Sequence, residues 1–415
     1  MALQSRVREE QRATSEAAIL DAAWDLFARS GPDGASLRDV GATAGCTHAL
    51  VARYYGSKDD LVGAIGSHFG ARVDRLVRRV TTTADQPVVE LLSAARADRS
   101  CLQLLIRSAL GDLPPRAFPG CLHLDWLLSQ TAGASTPATG AHEPDRRARI
   151  CAYAAASLLL GFVTFEGFLV AATRLTPLAP SRRDVAIAAA AQQLLGLAAG
   201  HEPRLTPRDL TPTAQLTSVE GAEPASARDA LLRSAIELFA AQGPATISVR
   251  DIARHAGVNQ GLIYRHFGSK DALLAEALEQ GSSGLFPAAL SADGFDFDAM
   301  SWLLHRRSQA PRLIARTLVD DVDIRAVRRQ FPVLRRLLDA YDEVPTGAGP
   351  ADLSDPRVAV VATAGMALGS AIWGDHLRRA LGLGERDGIE SAIADLARLL
   401  VTAPVSATID KEAKR

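Results

Sequence analysis

A near-copy of its own first segment constrains this chain more than any other feature. Residues 15–62 placed above 227–274 at a constant offset of 212 match at 20 of 48 positions without a gap. The matches include Leu26-Phe27-Ala28 with Leu238-Phe239-Ala240, Gly31-Pro32 with Gly243-Pro244, and Ser36, Arg38 and Asp39 with Ser248, Arg250 and Asp251. They continue through Ala44-Gly45 with Ala256-Gly257 to Gly56-Ser57-Lys58-Asp59 with Gly268-Ser269-Lys270-Asp271. A weaker echo at an offset near 208 sets Leu160-Gly161, Phe165 and Leu169 against Leu368-Gly369, Trp373 and Leu377. A unit of about 200 residues is therefore present twice, and the 415-residue chain must fold as two structures of one kind. Its length agrees, since it exceeds what one hydrophobic core holds.

Abundant Ala and Leu with only 5% aromatics favour helix over sheet. After each repeated segment the apolar spacing predicts helices over 86–96, 98–110, 119–130, 143–174 and 181–199, and again over 296–309, 311–320, 324–341, 354–381 and 385–402. Pro114-Pro115, Pro177, Pro311, Pro345 and Pro356 fall at or near the breaks, as proline should. Between the copies, 201–226 carries Pro203, Pro207, Pro212 and Pro224 among Thr, Ser, Gly and Glu. That composition is a linker, and as a flexible coil it would average roughly 25–30 Å end to end.

The second copy shows what each unit begins with. Ala230, Leu231, Ile236, Leu238 and Phe239 form a helical stripe that stops before Gly243-Pro244. Ser248 caps a second helix with Asp251 in the capping-box position, and Ala256-Gly257 ends it. Asn259 caps a third, short helix, Gln260 to Phe267, and Lys270 opens a fourth. Two short helices joined by a Gly-containing turn are the helix-turn-helix plan, whose second member enters the DNA major groove. On that member Val258, Leu262, Ile263 and Phe267 face a core. Asn259, Gln260, Tyr264, Arg265 and His266 are left to contact base edges or phosphates. Lys270 sits at a helix start, where backbone N–H groups also favour a phosphate.

The string AGVNQGLIYRHFGSKDAL, with ALLRSAIELFAAQG upstream, resembles the TetR-family DNA-binding signature at nearly every position, over about 50 residues per copy. The resemblance implies that Tyr264 and Lys270 contact phosphates, while residues around Asn259, Gln260, Gly261 and Arg265 approach bases. Arg250 completes this candidate set. In the first copy the corresponding set is Arg38, Thr47, His48, Arg53, Tyr54 and Lys58, but there the signature is broken. Ala52 stands where the phosphate-binding tyrosine belongs, with Tyr54 two positions on as a partial substitute. Residues 15–62 carry four basic and seven acidic groups, a balance of −3; residues 227–274 carry six and four, a balance of +2. The second copy is expected to bind DNA more strongly, with Arg6, Arg8 and Arg12 restoring some affinity to the first.

The family resemblance further implies pairing of regulatory halves through their last two helices, here 143–174 with 181–199 and 354–381 with 385–402. A chain holding both halves would pair with itself as a pseudo-dimer, at an effective concentration on the order of mM. Two heads so held would lie about 34–36 Å apart, one turn of DNA. Whether the chain then works alone or pairs again is left open by the residues. The resemblance also implies an unidentified small-molecule inducer in each regulatory half, its lining drawn from His123, Trp126, Phe162, Phe165 and Glu166, and from Trp302, His305, Met366 and Trp373. Large apolar residues at helical spacing are more often core than pocket. Glu166 stands apart, because an acid in an apolar helix must be paired, solvated or facing a ligand.

The expected organisation is all-α: helix-turn-helix domains over 1–80 and 227–280, helical regulatory domains over 81–200 and 281–404, a linker over 201–226 and a disordered tail over 405–415. The expected partner is a double-stranded DNA operator. No catalytic residue, cofactor or metal is expected: there is no P-loop, G-x-G-x-x-G after a strand, G-x-S-x-G or H-E-x-x-H. Cys46, Cys101, Cys121 and Cys151 lack metal-ligand spacing, and Asp320, Asp321 and Asp323 read as a solvated helix end. The opening residues hold no apolar run, and the apolar stretch 152–173 is broken by Glu166, so a cytoplasmic protein without a membrane span is expected. The alternative is a helical interaction protein whose first head has decayed.

Overall fold

The computed structural model describes residues 2–112, 124–131, 145–175, 178–199, 226–283, 290–291, 294–306, 309–322 and 355–402, together with Leu205, Pro207, Leu210, Leu334, Leu337 and Leu338. They divide into two compact units, one drawn from 1–87 and 94–123, the other from 88–93 and 124–415.

The first unit opens with α1 (Ala2–Ser30), whose Ile19, Trp24 and Phe27 begin its core. Gly31, at φ +71, ends the helix. Ser36 then caps α2 (Leu37–Thr43) in a reciprocal box with Asp39, Thr47 caps α3 (His48–Tyr55), and a second box, Ser57 with Asp60, starts α4 (Lys58–Thr83). Each box satisfies end groups the helix itself leaves open. Val40, Val51, Leu61, Ile65 and Phe69 meet Phe27 from these helices, and Leu104 of α6 (Arg99–Leu110) closes the cluster. Between α4 and α6 in the chain, α5 (Pro87–Ala97), whose residues 88–93 belong to the second unit, starts on its proline, where the missing N–H costs nothing.

The second unit holds α7 (Leu124–Thr131), α8 (Arg146–Ala172), α9 (Pro180–Gly196), α10 (Ala227–Gln242), α11 (Val249–His255), α12 (Gly261–Phe267) and α13 (Lys270–Ser283). These are followed by α14 (Phe297–Arg306), α15 (Ala310–Val319), α16 (Pro356–Ala380) and α17 (Ile389–Thr402). The described residues are all-α apart from one two-residue antiparallel ladder, Leu290–Ser291 with Gly294–Phe295.

At the centre α8, from the first copy, crosses α16, from the second. The crossing is made of Gly161, Gly365 and Gly369: a Cβ on Gly161 would collide with the Gly365 carbonyl, and one on Gly369 with the Ser157 carbonyl. Glycine lets the two backbones touch where any side chain would hold them apart. Both helices have the length and apolarity of membrane spans, but 67% and 89% of their apolar windows is buried inside the fold. Tyr153 is fully buried in this seam, and burial pushes its phenol up to about 12, so it stays a neutral donor. Its Oη lies 2.7 Å from Ser370 Oγ, and Trp373 Nε1 donates to Thr164 Oγ1 at 3.3 Å.

Helix ends in α5, α6, α8, α9, α14, α15 and α16 lie within four residues of the expected ones; of the helix expected over 119–130 the part before Leu124 lies outside the described residues, and α17 starts at Ile389 after a short turn over Glu385–Asp387. Most of the segment expected over 324–341 and all of the tail 405–415 lie outside the described residues. The linker departs from a free coil at its described positions. Leu205 and Leu210 are buried, Arg146 donates to the Leu205 carbonyl at 3.0 Å, and Pro207 packs on Gly388. Two leucines in a polar stretch are removed from water here, as apolar side chains are when a surface can receive them.

Candidate nucleic-acid interface

In the second copy the interface is built from its caps. Ser248 Oγ accepts from Asp251 N at 3.2 Å while Asp251 Oδ2 accepts from Ser248 N at 3.0 Å, which fixes the start of α11. The hydrogen bond from the Ser248 hydroxyl, at 2.5 Å, holds the Asp251 carboxyl below its usual range. Gly257, at φ +67, turns the chain toward α12. The cap there differs by one residue from expectation: α12 begins at Gly261, and its N-cap, Gln260, makes no side-chain capping bond. Asn259 acts from one residue further out, its Oδ1 accepting from Gly261 N at 2.8 Å, because an Asx turn competes with a true cap at that position.

Ile263 anchors α12 with no exposure, and Leu262, Phe267 and Val258 are half-buried beside it. Arg228 reaches from α10 across the Phe267 ring, 5.1 Å from its centre, and His255 Nδ1 lies 3.0 Å from Ser234 Oγ. The far face is left open. Asn259, Gln260, Gly261, Arg265 and His266 are exposed, as is Arg250 on α11, and Tyr264 stands out at 56% exposure. Lys270 is half-buried at the first position of α13; burial lowers its amine, against the pull of Asp271, Asp320 and Asp251. Amide groups thus precede α12, a phenol and a guanidinium are exposed along it and an ammonium follows it, while Ile263 fixes the helix in the core. That arrangement suits a phosphate backbone and the base edges behind it.

The first copy keeps the scaffold and changes the face. Val51 anchors α3, and Thr47, His48, Arg53 and Arg38 are exposed. Thr47 Oγ1 accepts from Leu50 N at 3.4 Å, a real cap where the second copy has only a turn, so α3 starts one residue earlier in register. Ala52 occupies the place of Tyr264. Tyr54 is half-buried, with the Arg12 guanidinium 5.8 Å from its ring centre, and Tyr55 Oη donates to the Glu16 carbonyl at 3.2 Å. Tyr54 is therefore turned toward α1 and does not stand out as Tyr264 does. Lys58, like Lys270, is half-buried at a helix start.

Two arginines were not singled out by the sequence. Arg107 of α6 is 3% exposed and donates to the carbonyls of Ala28 (2.8 Å) and Arg29 (2.6 Å) at the end of α1, with Asp112 at 3.3 Å. Arg316 of α15, also 3% exposed, donates to the Ala241 carbonyl at 2.8 Å at the end of α10. Each cation sits on the negative end of the first head helix. Nearby, Asp320 accepts from Ala245 N at 2.9 Å, so this aspartate braces the head instead of merely solvating a helix end. The signal was legible in principle: a lone Arg in the apolar runs LLIRSAL and LIARTLV, at an offset of 209.

Of the expected inducer lining, His123 lies outside the described residues. Phe162 and Phe165 on α8 and Met366 and Trp373 on α16 are fully buried in the seam; Trp302 is buried on α14, and His305 and Trp126 are half-buried. Glu166 is paired: its Oε1 lies 3.2 Å from Arg183 Nη2 on α9.

Helices α10 to α12, echoed by α1 to α3, define a helix-turn-helix protein, and the motif is present twice. Comparison with protein families agrees: the family described as bacterial regulatory proteins, tetR family, matches residues 19–65 and 231–277. An HTH-type transcriptional repressor of Mycobacterium tuberculosis is 34% identical over 165 residues, 39% of this chain and 80% of that protein. The HTH-type transcriptional repressor KstR2 of Mycolicibacterium smegmatis is 44% identical over 64 residues, 15% of this chain and 31% of that one. An uncharacterized HTH-type transcriptional regulator of Bacillus subtilis, YerO, is 38% identical over 52 residues, 12% and 18% of the two chains. The chain belongs to the tetR family of bacterial regulatory proteins, with the family's DNA-binding segment in tandem.

Proposed function

We propose that this protein is a ligand-responsive transcriptional repressor that binds double-stranded operator DNA, its two halves pairing within one chain. The observation that carries the reading is the split character of α12: Ile263 is sealed in the core while Tyr264 stands 56% exposed among Arg265, His266, Asn259 and Gln260. A solvent-facing helix loses little by carrying one such residue, but a row of donors beside an exposed phenol is what phosphate and base recognition require. The net charge of +2 over 227–274 supports the second head as the stronger reader, and −3 over 15–62 the first as the weaker.

Support for pairing within the chain comes from the crossing of α8 on α16, one helix from each copy, with α9 and α17 beside them. Support for a ligand response is more indirect. It lies in family membership and in Arg107 and Arg316, which tie helices following each head to the last turn of that head's first helix. An inducer that moved α6 or α15 would move the carbonyls these arginines hold. The natural division puts reading heads in 1–80 and 227–280 and regulatory helices in 81–200 and 281–404, with an operator whose two halves need not match.

Capture of fragmented host DNA by the intact chain tests the reading. Wild-type protein is expected to retain a small set of fragments at about 50 mM salt, and a Tyr264→Ala, Lys270→Glu variant to lose them. Identical retained populations for the two proteins, or none for either, would contradict it.

A further inference from the structure

The seam between α8 and α16 has a hidden two-fold relation. An offset of 208 superimposes Gly161 on Gly369 and Ser157 on Gly365. The contacts obey it: Gly161 lies against Gly365 and Gly369, and Gly369 lies against Ser157 and Gly161. Every contact across the seam therefore has an image found by exchanging the two copies. The image of Tyr153 on Ser370 is Val361 on Phe162. The image of Tyr153 on Gly374 is Val361 on Glu166, and that of Trp373 on Thr164 is Phe165 on Ile372.

The ends of the seam obey the exchange, with Arg149 on the Gly382 carbonyl and Arg357 on the Arg174 carbonyl, but around Tyr153 one side holds a polar chain where its image holds Val361, Phe162 and Glu166. On the polar side Tyr153 Oη lies 2.7 Å from Ser370 Oγ, Ser370 Oγ lies 2.6 Å from His305 Nε2, and His305 Nδ1 lies 2.7 Å from the Ser301 carbonyl. The carbonyl only accepts, so a neutral His305 carries its proton on Nδ1. Ser370 then donates to Nε2, and Tyr153 donates to Ser370. Every link is satisfied in one direction. Gly374 makes room for the phenol, since a Cβ there would come within 2.8 Å of Tyr153 Oη.

We propose that this one-sided seam is a pairing code: α8 of the first half is built to accept α16 of the second, and neither accepts a copy of itself. This rests on the reading that the halves pair within one chain. Set against a second α8, Tyr153 would meet Phe162 and Glu166 where it now meets Ser370 and Gly374, losing the serine that links it to His305 and the space a glycine leaves. Set against a second α16, Val361 would stand where Tyr153 stands, leaving a void beside Ser370 and His305. Symmetry would impose each defect twice, and buried groups without partners are the costly part of either.

The test places a specific protease site within 211–225 of the full chain, cleaves the purified protein, then unfolds and refolds the mixture. Native mass spectrometry separates mixed from same-half pairs by mass. The mixed pair is expected to exceed each same-half pair at least tenfold, and Tyr153→Phe with Ser370→Ala to bring the ratio close to the random 2:1:1. Random pairing by the wild type, or an undiminished ratio in the variant, would overturn the code. Halves that drift apart on cleavage, before any unfolding, would instead sink the pairing reading beneath it. If the cleaved halves do not refold, thermal melting of the intact chain decides. Tyr153→Phe and Ser370→Ala should each lower the midpoint and the double variant should fall no further than the larger single; additive losses would overturn the code. DNA enters none of these measurements.

Discussion

The two heads share a scaffold and differ in what they present. Their capping boxes, Ser36 with Asp39 and Ser248 with Asp251, have nearly the same distances, and only Asp251 has a further partner, Arg254, where the first copy has Ala42. Val51 and Ile263 are both fully buried, and each first helix ends on a buried arginine. On the exposed side, Tyr264 faces Ala52 across the repeat, a turn at Asn259 faces a cap at Thr47, and a balance of +2 faces one of −3. The two copies share the residues that hold the helices in place and differ in the exposed ones, the pattern expected if the proposed half-sites are unequal.

The largest expected separation of the heads comes from charge reversal. Lys270→Glu should weaken operator binding by about 30-fold at fixed salt and Lys58→Glu by less than about threefold, read by fluorescence anisotropy. Removing an ammonium from a phosphate and putting a carboxylate in its place costs roughly 2 kcal/mol. Equal losses would erase the ranking. Tyr264→Ala should cost about tenfold, the loss of one phosphate hydrogen bond at an otherwise unchanged helix. Ala52→Tyr, which restores the missing phenol to the first head, should gain roughly threefold to fivefold by the same bond in reverse. A smaller effect concerns the scaffold: Thr47→Ala should destabilise the start of α3 by about 1 kcal/mol in amide exchange, whereas Asn259→Ala, removing only a turn, should cost a few tenths. The capping boxes should differ least. Hydrogen bonds from Ser36 and Ser248 hold Asp39 and Asp251 below their ordinary 3.8, so both caps are intact above that pH and fade as it falls through their lower folded values, that of α11 last because Arg254 also holds the Asp251 carboxylate. Acid fraying of α11 before α2 would contradict this.

Much of this was legible in the sequence, because helix starts, stops and apolar stripes are local. The repeat marks the two heads, Ser248 and Gly257 bound α11, and Pro311 and Pro356 fall in the first turns of α15 and α16. Asn259 was placed one residue off, since an Asx turn and an N-cap use the same side chain and differ only in backbone. What escaped was non-local. Phe162, Phe165, Met366 and Trp373 have the same helical spacing whether they line a pocket or a core, and their burial beside the crossing of α8 on α16 depends on residues about 200 positions apart. Leu205 and Leu210 looked like linker until a surface was there to receive them. Arg107 and Arg316 looked like interruptions of apolar helices, and their meaning depends on carbonyls more than 70 residues away.

The most direct test of a two-headed reader with unequal heads is selection of bound duplexes from a random-sequence pool by the intact chain at a stated, low salt concentration. The account expects an enriched site of two half-sites about one helical turn apart, with one half strongly specified and the other weakly. Enrichment of a perfect palindrome with equal halves, or of no sequence, would contradict it.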